Sequence, residues 1–278
     1  MKLEVGLSCL LLVCVLGFVT GAFCQTPREI FADEFAGAIG TSFDSSKWTA
    51  EIGGGGWGNE ELQYYTGAID NVRHDGNGNL EIRAMPSIAD ARCWYGMCRF
   101  TSARLITKGK FDFKYGRVEA RIKVPDGSGV WPAFWMLGKD IDTVGWPHCG
   151  EIDIMEFLGK EPKTIYGTIH GLGYSGASGI SRSVSLPKNA SDAFHTFAVE
   201  WSENDIRWFV DGKQFSKLSK KDIPKGSKWA FDRPHFLIIN FAVGGKWPGN
   251  PSTSTIFPQS MLIDYVRVTP IESRTTSE

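Results

Sequence analysis

The amino-acid sequence predicts an all-β fold, a jelly-roll β-sandwich of two antiparallel sheets. Three observations carry that expectation. Apolar residues recur at every second position along most of the chain, which marks half-buried strands. No segment beyond the first 24 residues sustains a helical period. The 32 glycines and 13 prolines supply the turns that many short strands need.

The elements follow in order. Residues 7–19 (LSCLLLVCVLGFV) are an apolar run behind Lys2, too short to span a bilayer and suited to a secretory signal. Ala22 and Cys24 place small residues at the −3 and −1 positions of a cleavage site, so residues 1–24 read as a signal peptide and the secreted, extracellular chain begins near Gln25. The first strand candidate spans 62–66. The turn Asp75-Gly76-Asn77-Gly78 leads into Leu80, Ile82 and Ala84, which alternate with polar residues. A candidate at 102–107 precedes Val118, Ala120, Ile122 and Val124, interleaved with Glu119, Arg121 and Lys123. Strands at 132–138, 151–158 and 164–170 come next. Phe197, Val199 and Trp201 then alternate up to the turn at 202–205, and Ile206, Trp208 and Val210 return from it. One turn of helix is expected at 224–230, followed by strands at 234–243 and 261–268. Residues 25–270 thus form one domain, and 271–278 are a frayed polar tail.

Composition excludes several classes. A net charge of −1 offers no field for nucleic acid or anionic lipid. A second long apolar run is absent, so no membrane span is expected after the signal. The ten tryptophans fit either a sandwich core or a carbohydrate binder, whose rings cover the apolar faces of sugars. Three of six cysteines lie within the signal. Of the others, Cys93 and Cys98 bracket a four-residue loop that a disulfide could close, and Cys149 is left over as a small buried hydrophobe. Asn189-Ala190-Ser191 is a glycosylation sequon, whereas Asn250-Pro251-Ser252 is blocked by its proline.

Residues 150–157 (GEIDIMEF) carry the chemistry. Three acids fall within a segment that otherwise reads as a buried strand, and buried carboxylates are costly unless paired or used. On a regular strand Glu151 and Asp153 share a face and Glu156 opposes them. A β-bulge at Ile154-Met155 returns Glu156 to the face of the first two. Upstream, Trp131 and Trp135 stand four positions apart, on one face of another strand. Two carboxyl groups beside aromatic platforms are what glycoside cleavage needs.

Glu151-Ile152-Asp153-Ile154-Met155-Glu156 resembles the signature of glycoside hydrolase family 16, in the bulged form of laminarinase-like endo-β-1,3-glucanases. The resemblance extends in order through Phe31-Ala32-Asp33-Glu34-Phe35, residues 56–66, 116–121, 131–137, 243–249 and 263–268. It implies a concave substrate cleft, a β-glucan polysaccharide as partner, a monomer, and a retaining reaction that requires no cofactor. It implies Glu151 as nucleophile, Glu156 as general acid and base, and Asp153 as modulator of both, with Glu151 charged and the pKa of Glu156 raised by repulsion. Trp131 and Trp135 would line donor-side subsites, with Asn59, Arg104, His170, Asn240 and Trp247 as further substrate contacts. A structural calcium would be held by Glu34, the Gly78 carbonyl and Asp264, all oxygen donors. Two other readings share the motif. One is a family member acting on another β-glucan or a galactan. The other is a non-catalytic β-glucan recognition protein, against which the three retained acids argue.

Overall fold

A computed structural model describes residues 29–87 and 90–271. The expected signal peptide and all but the first residue of the expected tail lie outside them. Two sheets pack face to face. The first has ten strands and follows the path Lys213–Ser219, Asp205–Val210, His195–Trp201, Gly116–Lys123, Gln259–Thr269, Leu80–Pro86, Phe100–Ser102, Gln63–Tyr65. Phe31–Asp33 and Val72–His74 pair alongside that path. The second has seven strands in the order Ile180–Ser185, Thr164–His170, Glu151–Phe157, Val130–Gly138, His235–Val243, Arg104–Ile106, Thr49–Ala50. All pairings in these sheets are antiparallel except Gln63–Tyr65 with Phe100–Ser102. Neighbours in space are mostly distant in sequence, as a jelly roll requires.

Alternation explains why the sheets stack. Val118, Ala120 and Ile122 are fully buried while Arg117, Glu119 and Arg121 are half-buried outside. From the seven-stranded sheet, Phe134, Met136, Ile152, Phe157, Ile165, Ile169, Leu237 and Ile239 join the same core. Hydrophobic burial on that scale dominates the folding free energy. Strand His235–Val243 is buried on both faces, which is why its sequence is a nearly continuous apolar run.

Two expectations fail. Residues 224–230 form no helix, because Pro224 and Gly226, at φ +89°, bend the chain while Trp229 and Phe231 dock onto the core. The one α-helical turn among the described residues is Ile141–Val144, just before the acidic strand. The sequence reading also missed strands of two or three residues, such as Thr49–Ala50 and Val72–His74, which are too short to show a period. It missed Ile180–Ser185 and Lys213–Ser219 as well, largely polar outer strands lacking an apolar stripe.

Candidate active site

The bulge lies where the sequence placed it. Against strand Val130–Gly138, Met155 stands opposite Phe134 and Asp153 opposite Trp135, so Ile154 is the extra residue. Against Thr164–His170, Glu151 faces His170, Asp153 faces Thr168, and Glu156 faces Tyr166. Ile154 and Met155 both turn into the core, and the three carboxyl groups share the opposite face. They lie on the floor of a cleft of about 920 Å³. Trp131, Ala133 and Trp135 reach the same cleft from the neighbouring strand, as does Asn240 from the next.

Each glutamate has its own partners. The Trp146 indole N–H donates to Glu151 Oε2 at 2.8 Å, and His170 Nε2 lies 3.6 Å from Glu151 Oε1. His170 Nε2 is also 3.2 Å from Asp153 Oδ2, yet off line for a hydrogen bond, so that buried oxygen has no hydrogen-bond partner. Trp131 Nε1 donates to Glu156 Oε1 at 3.3 Å, and the Thr168 hydroxyl donates to Oε2 at 3.1 Å. Burial pushes the Glu151 carboxyl up to about 8, with Asp153 adding repulsion and His170, Trp146 and Arg104 opposing. Burial also pushes Asp153 up to about 8. Glu156 is raised well above its ordinary value, first by burial and then by Asp153. Desolvation outweighs the other influences on all three acids, including Glu151, the one expected to carry charge. Glu151, Asp153 and His170 also each offer a ligand atom within 4.8 Å of the others.

A buried polar relay supports the other half of the cleft. Trp135 Nε1 donates to Asn240 Oδ1 at 2.7 Å, and Asn240 Nδ2 donates to Tyr65 Oη at 3.0 Å. The Tyr65 hydroxyl donates to Glu61 Oε2, which also accepts from Gln63 Nε2 at 2.7 Å. Asn59 Nδ2 donates to Glu61 Oε1 at 3.1 Å. Glu61 is buried and its carboxyl raised by that burial, so the three donors compensate a costly group. The Arg104 guanidinium sits between the Trp57 and Trp135 rings, 4.8 and 4.7 Å from their centroids, and pairs with Glu51. Trp247 meets Trp131 and Tyr166 edge-on at 5.5 and 5.1 Å.

With this geometry, the comparisons decide the family. Residues 61–267 match the model of glycosyl hydrolases family 16. The chain belongs to this family. It is similar to a "Beta-glucanase" of Rhodothermus marinus, 43% identical over 81% of this chain and 79% of the relative. It is 40% identical to "Glucan endo-1,3-beta-glucosidase A1" of Niallia circulans over 86% of this chain, which spans only 37% of that relative. Among solved structures, the endo-beta-1,3-glucanase of Pyrococcus furiosus is 47% identical with a TM-score of 0.83, covering 89% of this chain and 95% of that one.

In this family 16 chain, every substrate-contact residue named from the sequence lines the one cleft: Trp131, Trp135, Asn59, Arg104, His170, Asn240 and Trp247. Asn240 is nearly buried with both side-chain polar atoms engaged inside the protein, so it acts as a strut beneath Trp135. Trp57, Glu61, Tyr65, Trp146 and Thr168 were not singled out as site residues. Trp146 sits in a loop five residues before Glu151, where no periodicity signals its direction. Away from the cleft, Cys93 and Cys98 are disulfide-bonded and Cys149 is free and buried. Asn189 is half-buried at the start of the 3₁₀ turn Ala190–Asp192. The calcium ligand set does not fit as it stands. Arg267 binds both oxygens of Glu34, each at 2.7 Å, and Arg121 pairs with Asp264 at 2.5 Å. A cation there would compete with Arg267 for both Glu34 oxygens and with Arg121 for one oxygen of Asp264.

Proposed function

We propose that the chain is a secreted endo-β-1,3-glucanase of laminarin type that retains anomeric configuration. One observation carries the reading: the bulge gathers Glu151, Asp153 and Glu156 into one buried row on the floor of a tryptophan-lined cleft. Glu151 is the carboxylate best placed to hold the charge of that row. Trp146 donates to it, and His170 and Arg104 favour its ionised form. Glu156 faces the other two acids and is raised well above the usual range, which suits a proton donor.

The steps follow from those states. The Glu151 carboxylate attacks the anomeric carbon while Glu156 gives its proton to the departing glycosidic oxygen. A glycosyl–Glu151 ester forms and the C–O bond to the leaving sugar breaks. Glu156, now ionised, takes a proton from water, whose oxygen displaces Glu151 and restores both groups. Asp153 stands between the two and shares His170 with Glu151, so it sets how much charge the row holds. Two carboxyl groups and water suffice, and no cofactor enters. Trp131 and Trp135 act as donor-side platforms, assisted by Arg104 and Asn59, with Trp247 bracing Trp131. The apolar run at 7–19 supports secretion, and Asn189 is the proposed glycan acceptor.

Reducing-sugar release from laminarin, barley β-glucan and agarose tests the assignment. Laminarin should be cleaved fastest, to internal fragments. Faster release from barley glucan or agarose would overturn the linkage assignment.

A further inference from the structure

A second groove, of about 400 Å³, adjoins the cleft, and Lys246 borders both. One wall is the loop closed by the Cys93–Cys98 disulfide, which presents Trp94 and Tyr95. The opposite wall is the glycine-bearing turn at 245–250. Trp94 is 51% exposed although its polar edge is already satisfied, since its indole N–H donates to the Glu61 carbonyl at 2.8 Å. Its backbone N–H donates to Gly54 at 2.9 Å, and a Cβ on Gly56 would lie 2.8 Å from the ring. The Tyr95 hydroxyl donates to the Leu62 carbonyl at 2.6 Å. The loop is therefore held rigid on the back of the turn whose front carries Trp57. A fixed, exposed aromatic ring with no unmet polar demand favours an apolar face, such as that of a sugar ring. Around it stand Glu60, Arg99, Lys246 and Asn250, donors and acceptors suited to sugar hydroxyls.

We propose that this groove is a remote glucan-binding site, in which a polysaccharide chain running from the cleft past the Asn59–Lys246 rim lays a sugar ring on Trp94. The proposal rests on the glucanase reading. Continuity through Lys246 is what favours the same polymer over an unrelated ligand. The disulfide then has a functional consequence, since it fixes the position of Trp94 before the chain arrives.

The test compares laminarin with a β-1,3-linked tetrasaccharide short enough to stay within the cleft. Trp94→Ala should raise KM for laminarin about threefold to tenfold at unchanged kcat. Cleavage of the tetrasaccharide should stay within about twofold. Asn250→Ala, on the opposite wall, should raise the laminarin KM in the same direction, about twofold to fivefold, without touching the Trp94–Glu61 bond. An unchanged laminarin KM in Trp94→Ala, or equal losses on both substrates, would overturn the proposal. Direct laminarin binding separates this outcome from failure of the glucanase reading. Glu156→Gln should bind laminarin more tightly than Glu156→Gln/Trp94→Ala, and equal affinities sink the groove. No laminarin cleavage by the wild type sinks the catalytic assignment instead.

Discussion

Trp146→Phe isolates one hydrogen bond at Glu151, the proposed nucleophile. The substitution keeps an aromatic ring beside His170, now 6.2 Å away, and removes the N–H that donates to Glu151 Oε2 at 2.8 Å. A hydrogen bond to a charged group contributes about 1.5–3 kcal/mol. Trp146 is 47% exposed, so solvent replaces part of that, leaving about 1–2 kcal/mol. The bond favours the ionised carboxylate, so its loss raises the Glu151 pKa further above its present value of about 8. The nucleophile must be ionised to attack. Activity should therefore fall about 5–30-fold in kcat/KM near neutral pH. The acid limb of the kcat/KM profile should move towards higher pH, and part of the loss should be recovered in alkaline buffer. The assay is laminarin hydrolysis from pH 5 to about 9. A variant with the wild-type profile and rate would refute the reasoning. So would a loss that is uniform across pH, because it would mean that Trp146 only shapes the cleft.

Stability should fall as pH rises from about 5 to about 8. Glu151 and Asp153 have folded values of about 8 against ordinary values of 4.5 and 3.8, so the folded state holds protons that the unfolded chain releases in that window. Glu151→Gln and Asp153→Asn should each flatten the slope and stabilise the fold at pH 8 by about 2–4 kcal/mol, seen as a raised melting temperature. Melting temperatures that change equally with pH in wild type and variants would contradict this. Trp135→Ala should cost about 1–3 kcal/mol in kcat/KM by loss of stacking. Trp135→Phe should recover most of it despite losing the bond to Asn240, and failure of that rescue would assign the effect to the relay. In the chain beginning near Gln25, alkylation should find no reactive thiol in the native state, one after unfolding and three after reduction. Cys149 is fully buried with its thiol pushed up to about 11, and Cys93–Cys98 is oxidised. Three thiols reactive before reduction would exclude the disulfide, whose six-residue loop is worth about 2 kcal/mol in chain entropy.

What could be read in advance has a physical pattern. The catalytic strand was legible because three acids in an apolar run violate the expectations of a core strand, and only a bulge reconciles them on one face. The Cys93–Cys98 pair was legible from spacing alone. Trp146 was not, since loop direction depends on tertiary packing. The Glu61–Tyr65–Asn240 relay was also hidden, because it joins residues up to 175 positions apart that share no local period. The calcium ligands illustrate a similar gap. Strand pairing sets Arg267 opposite Ala32, which brings its guanidinium onto Glu34, and no local pattern announces that partner. Burial depth was hidden as well: the motif places Glu151 on the strand but does not tell how thoroughly the sheet desolvates it.

The division of labour between the two glutamates is tested most directly by azide rescue. Glu156→Ala removes the proton donor and should cost about 10²–10⁴ in rate on a substrate needing protonation. With an activated aryl glucoside of a β-1,3-oligosaccharide the glycosyl–Glu151 intermediate still forms, and azide should intercept it to give a β-glycosyl azide. Glu151→Ala lacks the nucleophile, so azide should attack in its place and give the α-glycosyl azide by a single displacement. NMR of the anomeric proton distinguishes the two. A β-azide from Glu156→Ala and an α-azide from Glu151→Ala is the predicted result. The opposite pairing, or no rescue in either variant, would contradict the assignment.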